Sequence, residues 1–345
     1  MIKVKVFMES NIAHTQQVYS GFAMLRDAGV IDLKLERGNT LATSSSLVRT
    51  EIACKQVYFD LSDSSEFQHK EISRACDLYF KRMLLKKHES EKNLPYGLNY
   101  PVLYQTDSFI RRGYATAGWK GFVRSFARKN DIVSTLLNIN ISARNSSVQH
   151  FERLPNLDLN DMGVIFFSRL WNPENVNDPL KRLQRELINE MRIKTVGLLK
   201  KELGNRFIGG IQLDDYSKKV GGDSLVKNNS EVHKKVYLAN LRKSHIGIAT
   251  EGLEGSIGFK FAEYLAMSMP IVSNPIDIFS LPGSFQEGEN YRVYNTAEEC
   301  VSKCVELIEN KSMYLDMSIN NLHYYNDFLR PDKLMLNCLT KVISK

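Results

Sequence analysis

The stretch TEGLEGSIGFKFAEYLAMSMPIVS, residues 250–273, decides how this chain is read. It continues the apolar run HIGIA, which predicts a strand over 245–249. Glycine stands at 252, 255 and 258, a helix is predicted over 258–267, and Pro270 leads into a further strand over 270–273. A loop of this composition lets the backbone come close to a ligand. The helix behind it offers N–H groups without intrahelical partners and a partial positive charge, which suits a diphosphate. Gly255, Ser256 and Ile257 are the candidate cradle, and small residues at 252, 255 and 256 keep bulk out of the approach. Glycines before a helix also serve turns alone, so both readings are open.

The same rhythm of strand, loop and helix extends on both sides. Strands are predicted over 164–167, 207–211 and 291–294, with helices over 232–242 and 298–309. The latter opens with Thr296 and Glu299 at capping-box spacing. Asp178 and Pro179 form an N-cap and first-turn proline for a long helix ending near Leu203, with Gly204 as its stop. In the first half, strands are predicted over 4–8, 31–35, 56–59 and 77–80, with a helix over 15–28 stopped by Gly29. Residues 154–161, with Pro155 and four Asn or Asp residues, read as a linker. Strands alternating with helices predict an α/β chain with parallel sheets covered on both faces. Two more helical stretches, split by Pro331, follow Leu322.

Size, charge and cysteines narrow the class. A chain of 345 residues has room for about two domains. Hydrophobic content of 43% and charged content of 25% are those of a globular protein. No apolar run is long enough for a membrane-spanning helix, and the start, MIKVKVFMES, reads as a first strand and not a signal peptide. Of the five cysteines, only Cys300 and Cys304 are close in sequence. They share a helix face with Val301, Val305 and Ile308, which favours core packing in a reducing cytoplasm over metal binding. The net charge of +7 favours anionic partners without choosing among them.

The run K-x-x-E-Y-L-A (Lys260, Glu263, Tyr264, Leu265, Ala266), followed by Pro270-Ile271-Val272, resembles the nucleotide-binding signature of GT-B glycosyltransferases, the glycogen synthase-like group 1 enzymes in particular. That resemblance implies two Rossmann-like domains facing across a cleft. Residues 1–157 would bind the acceptor, residues 158–322 the nucleotide sugar, and residues 323–345 would form a helix returning to the first domain. It also implies that Glu263 accepts hydrogen bonds from the donor ribose, with Lys260 beside it; the alternative is a solvated helix glutamate. An earlier family glutamate meets the donor sugar eight residues before the ribose one. Here Glu254 lies nine before and Glu251 twelve before, with Glu254 the preferred match. VIFFSRLWNPENVNDPLKR, residues 164–182, resembles the family's strand, arginine, loop and lysine, and places Arg169 and Lys181 on the diphosphate. Two such cations would stabilise charge growing on the leaving group, as a metal ion would otherwise do, so neither metal nor cofactor is expected. Both could also be ordinary surface cations, and Arg182 rivals Lys181.

Acceptor chemistry is less defined. Asp60 and Asp63, in VYFDLSDSSEF, lie at a strand end where a base could take a proton from a hydroxyl. Asp63 and Ser64 could equally cap a helix. His14 is a further candidate, and LPYGLNYP (residues 94–101) reads as an ordered loop without a chemical role. Residues 111–129, RRGYATAGWKGFVRSFARK, carry six cations and no acid, with Trp119, Phe122 and Phe126 at helical spacing. This fits an interfacial helix on anionic lipid, single-stranded nucleic acid, or a solvated helix with an aromatic core face.

The resemblance therefore implies a hexosyl-type glycosyltransferase of surface-polysaccharide biosynthesis. Its partners would be a nucleotide sugar and a glycan or lipid-linked acceptor, with no nucleic acid, and it would be cytoplasmic or peripheral on the inner membrane face. The rivals are a non-catalytic module for anionic lipid or nucleic acid, and an epimerase or glycerophosphotransferase on a similar scaffold.

Overall fold

The computed structural model describes residues 1–8, 13–37, 46–67, 69–104 and 147–345. The basic, aromatic stretch at 111–129 lies outside the described residues. The chain divides into two units, one of Met1–Phe151, Ile278–Ser284 and Tyr325–Lys345, the other of Glu152–Asp277 and Phe285–Tyr324.

The first unit is built on a six-stranded sheet: β1 (Ile2–Met8), β2 (Ile31–Arg37), β3 (Leu47–Ile52), β4 (Lys55–Asp60), β5 (Leu78–Lys81) and β6 (Asn93–Pro95). Their order across the sheet is β2-β1-β3-β4-β5-β6. Alternation in IKVKVFM turns Val4 and Val6 into the core. Helix α1 (Gln16–Asp27) follows and ends as predicted, with Gly29 at φ 71° and Val30 N–H donating to the Leu25 carbonyl.

The sheet is mixed, which corrects the expectation of a purely parallel one. Strand β3 runs antiparallel to both β1 and β4. It had no sequence signal of its own, because Leu47–Ile52 mixes Arg and Glu into its apolar pattern. The β3–β4 turn also lacks the usual Asn-Gly. Ile52 pairs with Lys55, so Ala53 and Cys54 form a two-residue turn, with φ of 49° and 67°. Both central residues must be left-handed in such a hairpin, and neither is glycine.

The second unit carries β7 (Val164–Ser168), β8 (Phe207–Ile211), β9 (Ile246–Ala249), β10 (Ile271–Ser273) and β11 (Tyr291–Val293) in the order β11-β10-β9-β7-β8. All of its pairings are parallel. Helices α2 (Pro179–Leu203), α3 (Lys234–Lys243), α4 (Phe259–Ala266), α5 (Ala297–Glu309) and α6 (Lys311–Tyr324) belong to it. Strand β7 is buried along Val164–Phe167, which explains its unbroken apolar run. Asp178 caps α2 by accepting from Leu180 and Lys181 N–H, and Thr296 caps α5 through Glu299 N–H. Cys300 and Cys304 are fully buried core residues.

After α6 the chain rejoins the first unit. Helix α7 (Pro331–Ile343) packs Leu334, Met335, Leu339 and Val342 into the core formed by Val6, Phe22 and Phe59. Gly21 permits this close approach, since a Cβ there would lie 2.2 Å from the Pro331 carbonyl oxygen. Gln17 Nε2 also donates to the Leu329 carbonyl at 2.9 Å. Among the described residues, no helix is long and apolar enough to cross a membrane.

The β3–β4 turn gives a first prediction. A left-handed residue with a side chain costs about 1–2 kcal/mol, which glycine avoids at some loss of unfolded-state entropy. Cys54→Gly should therefore raise unfolding stability by about 0.5–1 kcal/mol in urea, whereas Cys54→Val should lower it.

Candidate functional site

The strand order of the second unit contains one reversal. From β7 the chain passes through α2 to β8 on one side, then returns to β9 on the other side of β7. In open α/β sheets, ligands bind outside the carboxyl ends of the strands at this reversal. Strand β7 ends there at Ser168, with Arg169 next, and β9 ends there at Ala249, with Thr250 next. The sequence-predicted arginine and the glycine loop therefore share one edge.

The two strand ends are joined by Arg192, a residue of α2 that the sequence reading passed over. The residue is only 6% exposed. Nη1 donates to the Arg169 carbonyl at 2.7 Å, Nη2 to the Glu251 carbonyl at 2.8 Å, and Nε to Thr250 Oγ1 at 3.1 Å. These acceptors are neutral oxygens. Burial lowers its pKa to about 10, and the nearby charge of Arg169 also acts downward; it remains a cation at neutral pH. One turn earlier on α2, buried Asn189 accepts from Trp171 N–H at 2.9 Å and donates to the Trp171 carbonyl at 2.7 Å. The available signal was an arginine on the apolar face of α2, in phase with Ile188, Thr195 and Leu199.

Arg169 itself is exposed, with its Cζ 3.9 Å above the centre of the Trp171 ring. Lys181 stands in the first turn of α2, and its Nζ is 3.5 Å from Glu254 Oε1, both side chains being about half exposed. The structure thus brings Lys181 and Glu254 together, in a pair worth at most about 1 kcal/mol at such exposure. Gln184 Oε1 also accepts from Glu254 N–H at 3.2 Å. Arg182, the rival of Lys181, instead donates to the Val176 carbonyl.

The glycines of the loop have distinct roles. Gly252 N–H donates to the Ser256 carbonyl at 2.7 Å, and a Cβ there would lie 2.5 Å from Ser256 Oγ. Its role is to let the loop close on itself. Gly255 is left-handed, and so is Glu254 at φ 60°, a conformation unusual for a residue with a side chain. A Cβ at Gly255 or Gly258 would meet nothing within 4 Å. Gly258 is the N-cap of α4, and no side chain caps that helix. Ser256 and Ile257 are buried. The backbone there could hold a diphosphate at the start of α4.

Glu263 overturns the solvated-helix alternative, being only 5% exposed. Its Oε1 accepts from Lys234 Nζ at 2.9 Å and its Oε2 from the Tyr237 hydroxyl at 2.7 Å. Burial opposes its ionisation, but Lys234 and Lys260 outweigh this and hold its pKa below the usual carboxylate range. Lys260 Nζ lies 4.5 Å from the Tyr237 ring centre, and burial lowers its pKa to about 8 against the pull of Glu263. Lys234 and Tyr237 were not foreseen, because both come from α3, separate in sequence from the K-x-x-E motif. Among these contacts both carboxylate oxygens of Glu263 are bonded, so a ribose would have to share or replace them.

In the first unit, the candidate base Asp60 is 2% exposed. Oδ1 accepts from Ser62 N–H and hydroxyl, and Oδ2 accepts from the Tyr79 hydroxyl and Lys81 Nζ, each at 2.9 Å. Burial opposes its charge, but Lys81 and the Ser62 bonds hold its pKa low. That environment belongs to a structural ion pair and is a poor one for a base, correcting the catalytic expectation. Asp63 and Ser64 do not cap a helix either: α-helical structure resumes only at Lys70–Ala75, with His69 as N-cap. Asp63 pairs instead with buried Arg82 and lies 3.5 Å from His14 Nε2.

Two α/β units, with a chain that returns after the second to complete the core of the first, form the architecture expected from the sequence. Each unit is an α/β body of the class that the resemblance implied. No protein-family model and no curated protein matches the chain. Among solved structures, the chain is similar to the C-terminal domain of LpcC, a glycosyl transferase group 1 family protein from Francisella tularensis. Identity is 12%, covering 52% of this chain and 95% of that one, with a TM-score of 0.33. It is also similar to TarM, at 13% identity over 82% of this chain and 47% of that one, with a TM-score of 0.42. A third is WaaG, a glycosyltransferase involved in lipopolysaccharide biosynthesis, at 8% identity over 92% and 79%, with a TM-score of 0.38. The chain thus spans about half the length of TarM. At these identities and scores the likeness concerns general architecture only.

The Arg192 tie can be tested directly. Arg192→Met should destabilise the protein by about 2–4 kcal/mol in chemical denaturation, since three acceptors lose a charged donor. Arg192→Lys should recover only part of this, because one ammonium cannot reproduce the planar fork.

Proposed function

We propose that this protein is a glycosyltransferase that binds a nucleotide sugar in its second unit and transfers the sugar to a glycan or lipid-linked acceptor in surface-polysaccharide synthesis. The observation that carries this reading is buried Arg192 joining the strand ends at Arg169 and Glu251, with Lys181 beside Glu254 in the loop after β9 and the start of α4 lacking a side-chain cap. This edge is cationic and rich in N–H donors, the chemistry that a diphosphate requires. Glu263 supplies a carboxylate for a vicinal diol, in exchange for its present contacts. Glu254, paired with Lys181, is the candidate contact to the sugar.

In this scheme the diphosphate is held by Arg169, Lys181 and backbone N–H groups. As the bond from sugar to phosphate breaks, negative charge moves onto the leaving diphosphate, and the same donors stabilise it more strongly than in the ground state. These cations perform a task that a divalent metal performs elsewhere, so turnover should proceed in chelator. Acceptor handling falls to the first unit, where His14, 3.5 Å from Asp63, is the candidate for accepting the hydroxyl proton. Asp63 itself, paired with Arg82 and His14, has its pKa held well below the carboxylate range and is as poor a base as Asp60. The protein is proposed to work in the cytoplasm, at the inner membrane face when its acceptor is lipid-linked.

A screen of UDP, GDP, ADP and CDP should find one that raises Tm, whereas no shift at millimolar concentration with any of them would remove the donor site. With the matching nucleotide sugar, Arg169→Ala should lower kcat by about a hundredfold or more with a smaller change in donor affinity. Arg169→Lys should recover little.

The Lys260 site gives a pH test. Its folded-state pKa is lowered to about 8, so its positive charge is present below pH 8 and lost above it. If that charge supports the diphosphate, affinity measured by calorimetry should fall between pH 7 and 9.5. Lys260→Arg, which stays charged, should flatten this dependence. An unchanged slope in Lys260→Arg would take Lys260 out of the site.

A further inference from the structure

The loop after β7 departs from a simple strand, arginine and helix arrangement, because it places an indole under the arginine. Three contacts define the geometry. Arg169 Cζ lies 3.9 Å over the Trp171 ring. Asn189 brackets Trp171 through its backbone N–H and carbonyl, as a neighbouring strand would. Arg192 holds the carbonyl of Arg169 itself. Both holding side chains come from one buried face of α2 and are almost wholly buried, so the backbones of Trp171 and Arg169 are tied to the same helix. The indole Nε1 is buried and has no hydrogen-bond partner among the described residues.

From these contacts we infer that Trp171 is a positioning residue for the donor site, a platform that fixes the Arg169 guanidinium for two-pronged contact with a diphosphate. The inference rests on the donor-site reading above and adds the group that orients its arginine. A guanidinium stacked on an aromatic face keeps its N–H donors in its own plane, off the ring, where a bidentate anion can meet them. An unstacked arginine on an exposed strand end samples many rotamers and loses that freedom on binding. The platform pays part of this entropy in advance. It also puts a fluorophore in contact with the group that meets the ligand.

The test uses the full chain with Trp119→Phe, which leaves Trp171 as its one tryptophan. UDP, GDP, ADP and CDP are each titrated by calorimetry and by tryptophan emission. One of them should change Trp171 emission saturably, with the calorimetric Kd, and Arg169→Ala should abolish that change. Trp171→Leu, which keeps apolar bulk without an aromatic face, should weaken the same nucleotide about two- to tenfold, and Trp171→Phe less. In an Arg169→Ala background, Trp171→Leu should have no further effect on affinity. A merely structural tryptophan would weaken binding equally in both backgrounds, and that result overturns the platform, as does unchanged affinity in folded Trp171→Leu. Should none of the four nucleotides bind the parent protein, the donor-site reading itself fails and takes the platform with it.

Discussion

The second unit is organised by a buried arginine that serves two strand ends. Arg192 reaches from α2 to the carbonyls of Arg169 and Glu251 and to the hydroxyl of Thr250. A parallel sheet ends its strands in carbonyls that have no partner in the next strand. At the reversal between β7 and β9 the two ends also diverge. One guanidinium, planar and with five donors, can satisfy both while remaining charged. The consequence is electrostatic as well as structural: the edge where a ligand would enter carries a buried positive charge whose bonds go to neutral oxygens.

Around this tie the charged residues fall into two groups. Arg169 and Lys181 are exposed, the first over an aromatic ring and the second beside a half-exposed glutamate. Such contacts hold a side chain in place and can be exchanged for an anion. Glu263 is the opposite case, buried between Lys234, Tyr237 and Lys260. Removing one partner from a buried charged cluster is costly, so this cluster sets the shape of the α3–α4 face as well as supplying a carboxylate. In the first unit, the Asp60–Lys81 pair is buried in the same manner and anchors the ends of β4 and β5.

Much of this was legible in the sequence, for definite reasons. Four of the five strands of the second unit are short, largely apolar runs, β11 with its central Arg292 being the exception. Their bounding signals, Asp178-Pro179, Gly204 and Thr296, have local physical causes that do not depend on the rest of the chain. The glycine loop after β9 was legible for the same reason, whereas the arginine after β7 was singled out only by the resemblance of its segment to a family motif. What was missed depends on contacts between distant residues. Strand β3 escaped because its hairpin turns on Ala53 and Cys54, which give no composition signal. Arg192, Asn189 and Lys234 escaped because polar residues on a helix acquire meaning only once their neighbours are known. Asp60 was misjudged for the same reason: a strand-end aspartate and a buried ion-paired aspartate look alike until Lys81 and Tyr79 are placed beside it.

The central claim is that a diphosphate sits on the reversal between β7 and β9, held by both strand ends together. Backbone hydrogen exchange with and without the nucleoside diphosphate that shifts Tm addresses this most directly. The account predicts added protection in two separate segments, 168–172 and 250–260, and loss of both protections together in Arg192→Met at saturating ligand. Protection confined to one segment, or centred elsewhere in the chain, would contradict it.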